Sequence, residues 1–128
     1  MRPALLAERG LAEAVRALAA RTPLPTTVTA EPGERVPPAV ESAAYFVVAE
    51  ALTNAVKHSA ATRLTVDINR DGDALVVQVA DDGVGGADAN GSGLTGLRKR
   101  VEALDGTLRV ASPPGGPTLV RAEVPCAP

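Results

Sequence analysis

Aromatic residues are nearly absent from this 128-residue chain, because Tyr45 and Phe46 are the whole set and tryptophan does not occur. The core must therefore be built from Val, Leu and Ala. A stacked aromatic surface of the kind that holds single-stranded nucleic acid is excluded. The formal net charge of −2, from 13 basic and 15 acidic side chains, leaves no basic footprint for DNA or RNA. We therefore expect no nucleic-acid partner.

Cysteine and long apolar runs are also scarce. Cys126 is the single cysteine and can form no internal disulfide, which is typical of a reducing compartment. No run approaches 18 apolar residues and no signal peptide precedes the first helix, so we expect a cytoplasmic location. With 45% apolar residues and an ordinary domain length, the chain should fold around one core.

The spacing of the apolar residues predicts both helices and strands. The predicted helices cover residues 3–20, with an interruption at Gly10, 37–58, and 94–104 before a C-terminal glycine, Gly106. The predicted strands cover residues 26–30, 62–70, 74–80, 107–111 and 118–124, the last four as two hairpins. This order predicts a two-layer α/β (α+β) sandwich, with a mixed, mostly antiparallel sheet covered on one face by helices.

One glycine-rich segment, Gly91-Ser-Gly-Leu-Thr-Gly96, matches the pattern G-x-G-x-x-G. A dinucleotide fingerprint needs a strand directly before the glycines and an acid about 20 residues further on. Here an acidic loop precedes the glycines, and Gly115-Gly116-Pro117 stands where the acid should be. The phosphate loop G-x-x-x-x-G-K-[ST] is also absent, so a different nucleotide site has to be considered.

Polar residues recur on one face of the long helix. Glu50, Asn54, Lys57 and His58 stand at i, i+4, i+7 and i+8, which places an acid, an amide and two basic groups together. Such a face is most often only solvated. An asparagine in the middle of a helix needs a reason, however, because it is a middling helix former.

Asp81 ends an otherwise apolar strand just before Gly83 and Gly85. A carboxylate there could accept a hydrogen bond from an amine such as that of adenine, and the glycines would let the backbone approach a flat ring. An acidic turn is the simpler alternative. Further on, Gly91, Gly93 and Gly96 surround a helix start near Leu94, where free N–H groups favour an anion. There the simpler alternative is a flexible connector.

In this order the motifs resemble the Bergerat-type (GHKL) ATP-binding fold of histidine kinases, type II topoisomerases, Hsp90 chaperones and MutL-like proteins. Residues 50–58 look like the N box of that family, 81–85 like its G1 box and 91–97 like its G2 box. Residues 93–108 are most similar to bacterial sensor histidine kinases of the nitrate-sensor and desaturase-sensor type.

The resemblance implies a site for ATP and Mg²⁺. Asn54 would hold Mg²⁺, Lys57 would reach the phosphates with help from His58, and Asp81 would read the adenine amine. Glu50 would polarise the incoming phosphoacceptor or bond within the Mg²⁺ shell. Residues 87–91 would form the ATP lid, and Thr118 would brace a water network around Asp81. The expected site residues are Glu50, Asn54, Lys57, His58, Asp81, Gly83, Gly85, Gly91, Gly93, Leu94, Gly96 and Thr118, with Glu50, Asn54 and Lys57 as the catalytic ones.

The phosphoacceptor is missing from this pattern, because the only histidine, His58, falls in the nucleotide site. We therefore expect residues 1–21 to be a linker and first helix that follow an absent dimerisation domain, and residues 22–128 to be the catalytic domain. The implied partners are that dimerisation domain and a downstream response regulator. We expect this chain alone to be monomeric and to lie in the cytosol, whether the parent sensor is soluble or anchored in a membrane.

Two positions depart from the family pattern. Gly86 stands where a phenylalanine is usual, and Pro117 precedes Thr118 where a glycine is usual. These departures keep open the alternative of a degenerate binding module that no longer uses ATP. A second alternative, which does not depend on them, is an anti-sigma-factor-type serine kinase or switch protein of the same fold.

Overall fold

The computed structural model describes residues 3–58, 60–86 and 92–126. Its helices are α1 (Ala4–Arg9), α2 (Leu11–Arg21), α3 (Pro38–His58) and α4 (Ser92–Glu102). Its strands are β1 (Thr26–Glu31), β2 (Leu64–Asp71), β3 (Ala74–Asp81), β4 (Thr107–Ala111) and β5 (Thr118–Pro125). The predicted elements are therefore confirmed, with ends that differ by one or two residues.

The five strands form one sheet in the order β1-β2-β3-β5-β4. β1 pairs with β2 in parallel, because α3 crosses over between them, and every other pair is antiparallel. β2–β3 and β4–β5 are the two predicted hairpins. The last strand along the chain thus lies inside the sheet, beside β3.

Strand alternation separates a buried face of the sheet from a polar one. On the helix side, Val66, Val77 and Val120 are all buried. On the opposite side, Arg121 donates hydrogen bonds to Gln78 and Glu123. The helices cover one face only, so the predicted two-layer sandwich is confirmed. Within the residues described, no helix is long and apolar enough to cross a bilayer.

Small residues let α3 lie close to the sheet. Ala44, Val47, Val48, Ala51 and Ala55 are buried, and none of their side chains is larger than valine. The helix begins at Pro38, where proline is tolerated because the first-turn N–H groups have no partner within the helix. Its 21 residues run from the outer edge of the core to the candidate site.

The first two helices belong to the same core. Gly10 separates α1 from α2 with φ of 90°, which confirms the predicted interruption. Leu6 and Val15 are fully buried in the common cluster. A bidentate ion pair lies beside this junction, where Arg35 donates at 2.8 and 2.9 Å to the buried Glu41 of α3. Arg35 also donates to the Ala7 carbonyl, so α1, the β1–α3 loop and α3 are tied together.

The end of α4 differs from the prediction of a glycine cap. Asp105 takes the left-handed conformation, with φ of 63°, and its N–H bonds to the Glu102 carbonyl. Gly106 N–H then bonds to the Val101 carbonyl, which completes a Schellman motif. Gly106 has a different role, because a Cβ there would lie 2.5 Å from the carbonyl oxygen of Glu123.

Candidate functional site

A cavity of about 690 Å³ opens between α3, the inner strands and the start of α4. This volume lies within the usual range for small-molecule sites. Its walls combine apolar side chains with a few polar groups from three separate segments. The lining residues are Glu50, Ala51, Thr53, Asn54, Ala55, Lys57, His58, Val79, Asp81, Gly85, Gly86, Gly93, Leu94, Val110, Thr118 and Val120.

The polar face of α3 forms one side of this cavity. Glu50 and Asn54 are half-buried in its wall, whereas Lys57 and His58 are exposed in the last helical turn. Their helical spacing places the four side chains on one side of α3. The opposite side of α3 is buried against the sheet. All four predicted residues of this helix therefore line the same cavity, with two cationic or potentially cationic groups at its mouth.

Asp81 is the most buried charged group of the cavity. It stands at the end of β3 and is only 8% exposed. Its Oδ1 accepts a hydrogen bond of 2.8 Å from the Gly83 N–H. Among the residues that the structure describes, Oδ2 has no hydrogen-bond partner. A buried carboxylate oxygen without a donor is costly, and this one borders an open cavity.

Thr118 lies directly beside Asp81. The two residues are register partners on β5 and β3, so their side chains project from the same face of the sheet. The Thr118 hydroxyl lies 2.6 Å from the Ser112 hydroxyl, at the base of the β4–β5 turn. Sequence reasoning did not identify Ser112, because a serine after a strand and before Pro113-Pro114 resembles an ordinary turn residue.

Two glycine-rich loops interlock at this end of the cavity. The Gly86 N–H bonds to the Ser112 carbonyl at 2.9 Å, and the Gly115 N–H bonds to the Val84 carbonyl at 2.7 Å. A Cβ on Gly85 would overlap the carbonyl oxygen of Pro113. Gly85 was predicted to give a flat ring access to the backbone. The space its side chain would need is instead filled by the β4–β5 turn, while the residue also borders the cavity.

The start of α4 closes the opposite side. Gly93 lies against Glu50, since a Cβ on Gly93 would be 2.5 Å from the Glu50 Oε2. Leu94 is buried and lines the cavity. Gly96 is not part of this cavity; it lines a neighbouring cleft of about 320 Å³. Gly91 and the rest of the predicted lid, residues 87–91, lie outside the described residues.

Gly83 is also absent from the cavity lining, because it is buried beneath the Asp81 carboxylate to which it donates. Its neighbour Asp82 points away from the cavity and accepts hydrogen bonds from the hydroxyl and N–H of Thr62 and the N–H of Arg63. The Thr62 hydroxyl, followed by these N–H groups, lowers the pKa of Asp82 to about 2. Asp82 thereby ties the chain before β2 to the end of β3.

No group of three or more His, Cys, Asp or Glu side chains in residues 3–58, 60–86 and 92–126 is arranged to hold a metal ion. A metal in this cavity would therefore need most of its ligands from substrate oxygens and water. Mg²⁺ commonly binds in that way, through one or two protein oxygens together with phosphates.

Family comparison agrees with this geometry. Residues 39–128 match the sequence model of the family described as histidine kinase-, DNA gyrase B-, and HSP90-like ATPase. The matched region begins in the first turn of α3 and includes every cavity-lining residue.

Individual relatives are sensor kinases. The chain is 35% identical to the oxygen sensor histidine kinase NreB of Staphylococcus carnosus, over 67% of this chain and 26% of that protein. It is 36% identical to the sensor histidine kinase NarS of Mycobacterium tuberculosis, over 98% of this chain and 32% of that protein. The chain thus spans about a quarter to a third of the length of these relatives.

Solved structures give the same result. The blue-light activated histidine kinase EL346 of Erythrobacter litoralis superimposes with a TM-score of 0.72 at 27% sequence identity. That match covers 91% of this chain and 41% of the kinase. The fold and the sequence therefore point to the same group of proteins.

Proposed function

Because this chain belongs to the histidine kinase-, DNA gyrase B- and HSP90-like ATPase family, as an ATP-binding domain of the sensor histidine kinase type, we propose that it presents Mg²⁺-ATP for phosphoryl transfer. The acceptor is a histidine on a separate dimerisation domain of the full protein. ATP binding follows from the family, whereas the metal, the acceptor and the individual residues are part of the proposal.

The observation that carries the proposal is the unsatisfied oxygen of Asp81. A buried carboxylate that borders a cavity calls for an N–H donor from the ligand, and the exocyclic amine of adenine supplies one. Val79, Val110 and Val120 border the same space and offer apolar surface to a flat base. The base would thus lie against the sheet, with its amine toward Asp81.

The phosphates would lie at the other end of the cavity. Lys57 is exposed at its mouth, and His58 is beside it. The first turn of α4 adds backbone N–H groups and the positive end of a helix dipole. The lid, residues 87–91 with Gly91 as its last member, would complete this end. Gly96 would act only through the backbone of α4, since it borders the neighbouring cleft.

Asn54 suits a Mg²⁺ ligand because its half-buried side chain offers an amide oxygen within the cavity, next to the phosphate end. The metal would neutralise charge on the transferred phosphoryl group when bound. Glu50 contacts Gly93 at the start of α4. Its carboxylate would polarise the acceptor or bond to a metal-bound water. Positioning and charge neutralisation would supply most of the catalysis.

The rest of the parent protein completes the function. Residues 22–128 would be the catalytic domain, and residues 1–21 would connect it to the dimerisation domain while packing on its core. A response regulator would receive the phosphoryl group next. The isolated domain would be monomeric and located in the cytosol.

Titration calorimetry with a non-hydrolysable ATP analogue and Mg²⁺ tests the binding step. We expect saturable heat, and the Mg²⁺ dependence should disappear in Asn54→Ala while base binding remains. No heat with the wild-type chain at millimolar nucleotide would contradict the proposal and favour a degenerate module.

Phosphoryl transfer is tested with a separately purified dimerisation domain and labelled ATP. We expect acid-labile label on that domain, as phosphohistidine requires, and none with Asn54→Ala. Acid-stable label on a serine would instead support the serine kinase alternative.

A further inference from the structure

Two hydroxyl groups face each other at the turn end of the β4–β5 hairpin. Ser112 follows β4 and Thr118 begins β5, and their side-chain oxygens are 2.6 Å apart. Thr118 is 8% exposed and lines the cavity, whereas Ser112 is half-buried behind it. The pair therefore places Ser112 one hydrogen bond away from whatever occupies the base end of the cavity.

Asp81 by itself does not distinguish adenine from guanine. A carboxylate only accepts hydrogen bonds, so it pairs with the exocyclic amine of adenine. It pairs equally well with the N1–H and the exocyclic amine of guanine, which are both donors. Selection between the two bases needs a second group next to the carboxylate. Thr118 is in the right place, because it is the register partner of Asp81.

The two bases differ at ring nitrogen N1, which lies beside the exocyclic amine in both. Adenine carries an unprotonated ring nitrogen there and requires a donor. Guanine carries an N–H and requires an acceptor. A threonine hydroxyl can serve either base, because it holds one proton and two lone pairs and rotates freely. Its choice is decided by the bond that it makes on its other side.

We propose that Ser112 is a positioning residue that selects ATP over GTP by donating its hydroxyl proton to Thr118. With one Thr118 lone pair engaged by Ser112, the Thr118 proton is directed into the cavity toward the ring nitrogen of adenine. The N–H of guanine would meet that proton head-on. This inference rests on the proposed ATP site and adds a residue that contacts no nucleotide atom itself.

Calorimetry of ATP and GTP binding to Ser112→Ala tests the proposal. Without the serine hydroxyl, Thr118 can turn its lone pairs to the ligand, so ATP should bind more weakly and GTP more tightly. We expect the ratio of the two affinities to fall roughly tenfold, the size of one neutral hydrogen bond. Ser112→Thr keeps the hydroxyl and should keep the wild-type ratio, while Thr107→Ala, an exposed β4 residue, serves as the matched control.

A purely structural role for Ser112 predicts a different result, namely equal weakening of ATP and GTP with an unchanged ratio, and that result would overturn the proposal. An ATP analogue with carbon in place of ring nitrogen N1 gives a second readout. Compared with ATP, this analogue should bind the wild-type chain more weakly, and the difference should be much smaller for Ser112→Ala. An equal loss of affinity in both chains would also overturn the proposal. Absence of any ATP binding by the wild-type chain would instead refute the nucleotide site as a whole.

Discussion

Replacement of Asp81 by asparagine should weaken ATP binding by roughly 10- to 140-fold, which corresponds to about 1.5–3 kcal/mol for a hydrogen bond to a charged group. The amide keeps the size of the carboxylate. Its oxygen can still accept the hydrogen bond from the Gly83 N–H, which measures 2.8 Å in the wild-type chain. The amide nitrogen then occupies the position of Oδ2 at the cavity wall. There it presents a donor to the adenine amine, which is itself a donor.

The measurement is titration calorimetry, with thermal unfolding as a check that the fold is retained. Since the lost contact is with the base, adenosine, ADP and ATP should lose affinity by the same factor. Asp67→Asn makes the same chemical change on the opposite, polar side of the sheet and should bind like the wild-type chain. Wild-type affinity in Asp81→Asn, within about threefold, would refute the assignment of Oδ2 to the base.

Three further predictions concern stability. Gly85→Ala and Gly86→Ala place a side chain at similar positive φ angles, 69° and 79°, which costs each variant about 1–2 kcal/mol. Only the Cβ of Gly85→Ala would also overlap the backbone of the β4–β5 turn. Gly85→Ala should therefore be at least about 1 kcal/mol less stable than Gly86→Ala in urea unfolding. Equal urea midpoints for the two variants would contradict the interlocked loops. Because the folded-state pKa of Asp82 is about 2 and lies below its unfolded value, its stabilising contribution is complete above about pH 4 and is lost as the pH falls through 2. The melting temperatures of the wild-type chain and Asp82→Asn should therefore converge across that interval, and a constant difference would argue against this role. Finally, Arg35→Ala should lower the melting temperature because it removes an ion-pair partner of the buried Glu41. Glu41→Gln added to Arg35→Ala should recover part of the loss, whereas purely additive effects would show that the pair is not coupled.

Local periodicity was enough to predict most of the fold and one wall of the site. The polar face of α3 and both hairpins depend on spacing within one segment, and the structure has them where the spacing indicates. Asp81 was identified because a carboxylate that ends an apolar strand needs an explanation. Its burial beside an open cavity supports that reasoning, although its role in binding stays a prediction.

Other features depend on contacts that no single segment reveals. The reason for glycine at position 85 lies in the backbone of Pro113, 28 residues later, and the reason at Gly106 lies in the carbonyl of Glu123. Ser112 gains significance only because β5 places Thr118 opposite it. Asp105 took the left-handed position expected for glycine, since aspartate tolerates that conformation. Sequence patterns indicate that a turn exists, but contacts with distant parts of the chain decide which residue in the turn must be glycine.

The position of β5 has a consequence for how the protein is made. This strand is synthesised after the other four strands of the sheet, yet it lies between β3 and β4 and supplies Thr118 and Val120 to the cavity. A nascent chain that has released only residues up to the β4–β5 turn has no partner for the inner edge of β3, which stays open to other strands. On the ribosome, therefore, the base end of the cavity cannot exist until the final strand has left the exit tunnel, and a chain truncated before Thr118 should aggregate rather than bind.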